Sequence, residues 1–284
     1  MVERADPWAR WVLRPGNELE SMHPVRDRVL ANASVEAGDV LLDVGTGSGL
    51  IAFGALPLAG EQGRVIFSDV SETLLEHCRR EAAERGVAER CRFLVASADD
   101  LVGVEDDTVD AVTTRSVLMY VEDKARAFRE LFRVLRPGGR VSIFEPINSF
   151  DHPWPPERFL GYDVTPVADL VRKVMAVYDR LQPPEDPMLD FDERDLLRHA
   201  EAAGFIDIHL TLEATIGSRP WARGPWDGFL GTAGNPCVPS LQEVLDEALT
   251  EAEKERFRAH LQPLVERGEG ESRTALAYLW ARKP

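Results

Sequence analysis

Short apolar, β-branched runs alternate with helical stretches through the first half of the chain. Five such runs end in or near polar residues, and each is followed by apolar residues at helical spacing or by a loop. They cover residues 40–44, 64–67, 91–96, 109–114 and 140–144. Alternation of this kind predicts a parallel sheet with helices on both faces, in which each strand is joined to the next by a crossover.

The second half of the chain is less regular. A sixth strand is predicted over residues 206–212 after a helix that ends at Gly204, and a last strand over 274–280. We expect the last strand to run antiparallel beside the sixth. The predicted fold class is therefore α/β, with a seven-stranded, mostly parallel sheet, an antiparallel last strand and added helical segments.

These patterns divide the chain into a core and additions. We expect the segments to be an N-terminal helical cover (1–37), a ligand-binding core (38–145), a lid insertion (146–190), the remainder of the core sheet (191–216 and 271–284) and a second insertion (217–270). The N-terminal segment either covers a ligand or is a pair of packing helices. The first insertion is rich in proline and aromatic residues and leaves the end of the fifth strand, which favours a lid over structural padding or a dimer surface.

Composition narrows the class of protein. The hydrophobic fraction of 44% and charged fraction of 29% are those of a soluble globular protein. The net charge of −16 argues against a nucleic-acid partner. Cys78, Cys91 and Cys237 are widely spaced and odd in number, which favours neither disulfides nor a metal site. The N-terminus lacks a signal-peptide pattern and no apolar run is long enough to span a bilayer, so we expect a cytoplasmic protein without a membrane partner.

The stretch 40–51 carries the clearest functional signal. Gly45, Gly47 and Gly49 stand at alternate positions directly after the first strand, which allows a sharp turn with bare backbone facing a ligand. The dinucleotide pattern Gly-x-Gly-x-x-Gly fits poorly, because Leu50 stands where its third glycine belongs. Asp43 precedes the turn and would repel a pyrophosphate, whereas it would attract an ammonium or sulfonium group. The pattern predicts a pocket for a cationic cofactor such as S-adenosylmethionine.

Three segments together resemble the class I, Rossmann-like S-adenosylmethionine-dependent methyltransferases, in particular the branch that includes the ubiquinone and menaquinone biosynthesis enzymes. They are the glycine turn at 41–49, the acid Asp69 at the end of the second strand, and Leu-Arg-Pro-Gly-Gly-Arg at 135–140. The resemblance covers roughly residues 38–146 and more loosely 191–212 and 272–283. It implies a Rossmann-like fold and S-adenosylmethionine as cofactor.

The resemblance also implies roles for single residues. The implied cofactor-binding residues are Asp43, Gly45, Thr46, Gly47, Gly49, Asp69, Val70, Ser97, Ala98, Asp99, Arg115 and Ser116. Asp69 would accept hydrogen bonds from both ribose hydroxyls, and Val70 would contact the adenine. The family usually has an acid where this chain has Ser97, so either Ser97 or Asp99 would meet the adenine amino group. Arg115 departs from the small polar residue expected there and would bind the cofactor carboxylate or an anionic acceptor.

The acceptor is less legible in the sequence. His152 follows the fifth strand and is the candidate general base, and Glu145, Tyr162 and His23 are candidate acceptor-binding residues. No metal is expected. We predict transfer to O, N or C of a small, partly apolar metabolite or a short peptide, with a homodimer as one possible assembly. The alternatives are methylation of a protein side chain or terminus, a non-catalytic cofactor-binding module, and an NAD-linked oxidoreductase.

Overall fold

A computed structural model describes residues 6–14, 19–183, 186–218, 220 and 222–284. The helices in this part of the chain are α1 (Pro7–Val12), α2 (His23–Asn32), α3 (Leu50–Leu58), α4 (Glu72–Glu84), α5 (Lys124–Val134), α6 (Ala168–Leu181), α7 (Glu193–Ala203), α8 (Trp226–Leu230), α9 (Leu241–Ala248) and α10 (Glu251–Arg267). The strands are β1 (Val40–Val44), β2 (Arg64–Asp69), β3 (Cys91–Val95), β4 (Val109–Arg115), β5 (Leu135–Pro146), β6 (Arg158–Phe159), β7 (Tyr162–Asp163), β8 (Ile206–Gly217) and β9 (Ser272–Arg282). Parts of the predicted N-terminal cover and of the two predicted insertions, at residues 1–5, 15–18, 184–185, 219 and 221, lie outside the described residues.

The chain forms two compact units. Unit 1 comprises Met1–Pro146, Phe191–Leu212 and Leu276–Pro284, and unit 2 comprises Ile147–Asp190 and Glu213–Ala275. No helix in the described part of the chain combines the length and the apolar character that crossing a bilayer requires.

Unit 1 is built on a seven-stranded sheet with the order β3-β2-β1-β4-β5-β9-β8. The pairs β1–β2, β1–β4, β2–β3 and β4–β5 are parallel, and β9 runs antiparallel to β5. The predicted fold class is confirmed. The antiparallel strand β9 pairs with β5 as well as lying next to β8, so it is an interior strand of the sheet and β8 is at the edge. Because the strand order reverses between β1 and β4, a crevice is expected at their carboxyl ends.

Alternate residues along the central strands face opposite sides of the sheet, as the pleat requires. Leu41 of β1 and Phe67 of β2 join a core cluster with residues of α2, α3 and α4, including Val29 and Ile51. Leu42 also has no exposed surface, although the strand alternation turns it to the other side. Both faces of the central strands are thus covered by protein, as is usual in parallel sheets.

Local sequence signals set several element ends. Ser71 precedes α4 and caps it, because its hydroxyl accepts a hydrogen bond from the Leu74 backbone N–H. Gly204 ends α7 in the left-handed conformation, with φ of 100°. One boundary differs from expectation: α5 ends at Val134 and β5 begins at Leu135, so the Pro-Gly-Gly turn lies within the strand, next to a register shift in the pairing of β4 with β5.

Unit 2 has a separate hydrophobic core. Fully buried residues of α6, α9 and α10, such as Val174, Leu241 and Phe257, pack with the aromatic rings of Phe159 and Phe229. The two-stranded sheet of β6 and β7 contributes to the same cluster. Ser240 and Glu243 form a capping box at the start of α9.

Candidate functional site

A cavity of about 360 Å³ opens at the carboxyl ends of four adjacent strands of unit 1. Its charged residues and Ser97 and Ser116 come from the ends of β2 to β4, and most of its apolar residues come from α1 and from the segment after β4. The lining residues are Trp8, Trp11, Val12, Gly45, Gly47, Asp69, Val70, Leu74, Ala96, Ser97, Ala98, Arg115, Ser116, Val117, Met119, Tyr120, Val121 and Pro146. This is the place where ligands bind in open α/β sheets.

The turn after β1 requires glycine. Gly45 and Gly47 both adopt positive φ, 64° and 56°, which side chains rarely tolerate. A Cβ atom at Gly45 would lie 2.3 Å from Cγ2 of Val117, well inside van der Waals contact. The turn therefore brings bare backbone to the cavity wall, as the sequence pattern predicts.

Asp43 stabilises this turn through hydrogen bonds. Its carboxylate accepts hydrogen bonds from the hydroxyls of Thr46 and Thr113, at 2.7 and 2.8 Å, which ties the turn to β4. Burial raises the pKa of Asp43 to about 6. Among the described residues, neither Asp43 nor Thr46 lines the cavity, and the role of Asp43 near a cofactor ammonium, through water or neighbouring backbone, stays a prediction. Its negative charge is used to build the turn.

Asp69 faces the cavity from the end of β2. One carboxylate oxygen accepts from the Gly47 N–H at 2.9 Å and the other from the Ser71 N–H at 3.0 Å. These two bonds fix the orientation of the side chain, and burial raises its pKa. Since a carboxylate has about four acceptor positions, two remain for a ligand.

The end of β3 presents Ser97 and Ala98 to the cavity. The Ser97 hydroxyl donates a hydrogen bond to the Asp99 carboxylate, so the two residues that the sequence left as alternatives act as a pair. Ser97 is one of the lining residues, whereas Asp99 is not. Val70, next to Asp69, exposes 53% of its surface, as a residue that covers a ligand ring would.

Arg115 and Ser116 bring β4 into the same cavity. Burial lowers the pKa of the Arg115 guanidinium, and the carboxylates of Asp43 and Glu145 oppose that shift. Ser116 adopts φ of 56°, a rare conformation for a residue other than glycine. The chain thus turns sharply where β4 ends.

Glu145 stabilises the segment that follows this turn. It has no exposed surface, and its carboxylate accepts from the backbone N–H groups of Val117, Leu118 and Met119 at 2.9, 2.9 and 3.3 Å. Burial raises the pKa of Glu145 to about 7. Glu145 does not appear among the described lining residues, so it shapes the cavity wall without touching its contents, which corrects its assignment to the acceptor.

Helix α1 supplies the wall that the sequence left undecided between cover and packing. Trp8, Trp11 and Val12 line the cavity, and the Trp8 ring meets Tyr120 edge to face at 4.8 Å. Asp6 caps α1 and also accepts a hydrogen bond from the Ser71 hydroxyl. The helix is therefore anchored to the start of α4, directly after Asp69.

The other predicted site residues lie elsewhere. Gly49 and His23 line a second, larger groove of unit 1 between α2 and α3. His152 is exposed in unit 2, and its role as a base stays a prediction. Tyr162 is fully buried in the core of unit 2, and its hydroxyl donates to the Ala222 carbonyl at 2.7 Å. An inward ring with a satisfied hydroxyl makes Tyr162 a core residue, which corrects its assignment to the acceptor.

The wall formed by Val117, Met119 and Tyr120 escaped the sequence analysis. These residues carry no motif, but they lie between a strand that ends at the crevice and Asp123, which caps α5. A segment in that position must cross the carboxyl edge of the sheet. The position of this segment between β4 and α5 was therefore the feature of the sequence that could have predicted its place at the cavity.

With this geometry in view, comparison with known proteins is informative. A family model described as a methyltransferase domain matches residues 42–143, which hold most of β1, all of β2 to β4, most of β5 and most of the cavity's polar residues. Residues 42–143 are similar to a methyltransferase domain. The resemblance of the sequence to class I S-adenosylmethionine-dependent methyltransferases is confirmed.

The chain is also similar in sequence to curated methyltransferases. The chain is similar to the ubiquinone/menaquinone biosynthesis C-methyltransferase UbiE of a Marinomonas species, with 34% identity over 116 residues, or 41% of this chain and 46% of that protein. The chain thus spans about half the length of the curated relatives it matches.

Solved structures have a fold similar to that of the chain. YcgJ from Bacillus subtilis superposes with a TM-score of 0.58 at 18% identity, covering 92% of this chain and 98% of that one. The [4+2]-cyclase SpnF superposes with a TM-score of 0.54 at 22% identity, covering 93% and 82%. At these identities the likeness shows the fold alone, and the reaction must be argued from the site.

Proposed function

We propose that this protein is an S-adenosylmethionine-dependent methyltransferase that acts on O, N or C of a small, partly apolar metabolite or a short peptide. The observation that carries the proposal is Asp69. Its carboxylate is held by two backbone N–H groups, faces a cavity beside the glycine turn, and keeps two acceptor positions for a ligand. A pair of ribose hydroxyls matches that demand.

The other lining residues fit the rest of the cofactor. Gly45 and Gly47 would lie under its ribose and methionine parts, where their positive φ leaves the backbone bare. Val70, Ser97 and Ala98 would surround the adenine. The bound cofactor would supply an electrophilic methyl group on a positively charged sulfur.

The chain's own contribution is to align the reactants and exclude water. The wall around Arg115 is made of Val117, Met119 and Tyr120, and α1 adds Trp8 and Trp11 on the other side. Apolar walls of this kind suit a methyl transfer, because the transition state disperses charge and gains little from bulk water. They also favour an acceptor with an apolar part.

Three further predictions belong to this proposal. A general base at His152, a lid formed by residues 146–190, and a homodimer stay predictions of the sequence.

The net charge of −16 supports an acceptor other than nucleic acid. Similarity to UbiE, which is named as a C-methyltransferase, favours carbon among the acceptor atoms.

Titration calorimetry tests the cofactor assignment. The intact protein is expected to bind S-adenosylmethionine and S-adenosylhomocysteine and not NAD. Asp69→Asn should weaken S-adenosylhomocysteine by about 1.5–3 kcal/mol, the size of lost charge-assisted hydrogen bonds. Glu84→Gln, at an exposed position on α4, is the control and should bind as the wild type does. A folded Asp69→Asn protein with unchanged affinity would remove Asp69 from the site, and NAD binding in place of both ligands would refute the proposal.

Turnover separates an enzyme from a binding module. The protein is incubated with S-adenosylmethionine and a library of metabolites and short peptides, and release of S-adenosylhomocysteine is measured. Release that depends on a library member supports a methyltransferase. Tight cofactor binding without release from metabolites, peptides or intact proteins would favour the non-catalytic module.

A further inference from the structure

Strand β8 forms a long free edge of the seven-stranded sheet. It has twelve residues, Ile206–Gly217, whereas β3 at the opposite edge has five. In the described part of the chain, β9 is the one strand next to β8. No residue of β8 is buried, and Ile206, Leu212 and Ile216 are exposed by 38, 37 and 62%. Proteins usually shorten or protect such edges, because their free N–H and C=O groups pair readily with another strand.

Apolar and polar side chains alternate along β8 without exception from 206 to 216. The even positions are Ile206, Ile208, Leu210, Leu212, Ala214 and Ile216, and the odd positions are Asp207, His209, Thr211, Glu213 and Thr215. Contacts with β9 agree with this pattern: His209 stacks on Trp280 with ring centroids 5.1 Å apart, and Asp207 forms an ion pair with Arg282 at 2.8 Å. The polar row thus occupies one face of the strand, and the apolar row occupies the other.

The sequence of β8 is nearly symmetric about Thr211, which makes the strand complementary to itself. If a second β8 ran antiparallel with the two Thr211 residues opposite each other, Leu210 would face Leu212 and Ile208 would face Ala214. Apolar pairs and threonine pairs directly opposite one another stabilise an antiparallel sheet. Every position from 206 to 216 would then meet a residue of its own kind, apolar against apolar and polar against polar.

Charge favours this register over its neighbours. A two-fold axis that fell between two residues would set the apolar row against the polar row, which the alternation excludes. An axis on Leu210 would place Asp207 opposite Glu213, and like charges directly opposite are destabilising. With the axis on Thr211, His209 faces Glu213 twice by symmetry, and an imidazole N–H is a suitable donor for that carboxylate. An axis one residue further on would separate the imidazole from the carboxylate.

We propose that the free edge of β8 is a dimer interface, at which a second copy of this chain adds its own β8 antiparallel about a two-fold axis at Thr211. Each copy uses its edge once, so the assembly closes at two chains. Backbone hydrogen bonds join the sheets, and the side-chain rows set the register. Regular pairing is expected over 208–214, because Asp207 has φ of 50°, outside the strand range. The proposal goes beyond the proposed function and does not rest on it.

Analytical ultracentrifugation over a concentration series tests the dimer and its register. The wild type should form a species of twice the chain mass of 31.7 kDa. His209→Glu sets two carboxylates against each other and should raise the dissociation constant about 10-fold, and Glu213→Lys should raise it as well because it removes the acceptor. The variant with both changes places opposite charges face to face again and should restore the dimer. Glu84→Lys, at an exposed position on α4, is the control.

Disulfide cross-linking tests the position of the axis. Thr211→Cys is made in a Cys237→Ser background, because Cys237 is an exposed cysteine. On the axis, the two copies of position 211 would have Cα atoms about 4.5–5.5 Å apart, within the range that a disulfide spans. Oxidation should therefore give a covalent dimer on a non-reducing gel. Thr215→Cys in the same background is the control and should give none, because position 215 would face Asp207.

The proposal is overturned if the wild type sediments as a single chain throughout the concentration series. It is also overturned by a dimer that both charge variants leave unchanged, or by cross-linking at position 215 and not at 211, since the contact would then use another surface or register. A mass that grows beyond two chains would show open-ended association in place of a closed dimer. Circular dichroism verifies the fold of each variant, and cross-linking alone decides should the charge variants fail to fold.

Discussion

The backbone clamp made by Glu145 leads to a prediction in which the sign of a stability change reverses with pH. Glu145 has no exposed surface, and burial raises its pKa from an ordinary 4.5 to about 7. A carboxyl whose pKa is raised by folding contributes stability that is fully present below pH 4.5 and is lost as the pH rises through 7. The difference between these pKa values corresponds to about 3 kcal/mol.

Glu145→Gln removes this dependence and keeps most of the clamp. The Val117 and Leu118 N–H groups donate to the same carboxylate oxygen, which the glutamine carbonyl replaces. The longer bond from Met119, at 3.3 Å, is lost because the amide NH₂ takes the place of its acceptor. Leaving that donor unpaired costs about 1 kcal/mol. The variant should be about 1 kcal/mol less stable than the wild type at pH 4.5 and about 2 kcal/mol more stable at pH 8.

Urea unfolding at several pH values between 4.5 and 8, followed by circular dichroism, measures this difference. Asp43, whose pKa is also raised, is present in both proteins and cancels in the comparison. Glu89→Gln, at an exposed position, is the control and should follow the wild type at every pH. A stability difference between Glu145→Gln and the wild type that stays constant with pH, or grows in the opposite direction, would refute the reasoning.

Three other substitutions have expected outcomes. Gly45→Ala should lower Tm and abolish S-adenosylhomocysteine binding in calorimetry, because the added Cβ would collide with Val117. Gly86→Ala is the control: it has a φ of 69° but no atom within 4 Å of the added Cβ, so it should retain binding. Asp6→Ala should remove about 1 kcal/mol from the anchoring of α1 and speed dissociation of S-adenosylhomocysteine in stopped-flow fluorescence, and an unchanged rate would show that α1 does not control release. Tyr162→Phe should destabilise the protein by about 1–2 kcal/mol in urea unfolding through the lost bond to Ala222, and it should leave cofactor affinity unchanged; a loss of affinity would contradict the assignment of Tyr162 to a core.

The sheet was predictable because its central strands correspond to near-continuous apolar runs in the sequence. Strands buried on both faces carry near-continuous apolar runs, and β1 and β2 show that pattern apart from Asp43 in β1 and the polar residues at the ends of β2. Capping residues such as Ser71 and Gly204 then marked helix ends through hydrogen bonds that depend on local sequence alone. The glycine turn followed from the same local logic, because only glycine tolerates its φ angles.

Side-chain partners over long sequence distances were not predictable in this way. Asp43 is one example, because the hydroxyl that donates to its buried carboxylate belongs to Thr113, 70 residues away. Glu145 likewise reaches backbone groups 26 to 28 residues before it. A sequence shows that an acid is present near a crevice, whereas the pairing of strands decides whether that acid faces the ligand or the protein.

Unit 2 is assembled from two separate stretches of chain that complete one another. Ion pairs join them, as in Lys173 with Glu253 and Arg256 with Asp169, and the Ile147 N–H donates to the Ala275 carbonyl at 2.8 Å where the stretches begin and end. Neither stretch has a full interior without the other. A chimera that borrows this part from a relative must therefore exchange both stretches together, and a truncation confined to residues 146–163 would damage the folding of unit 2 before it revealed anything about acceptor choice.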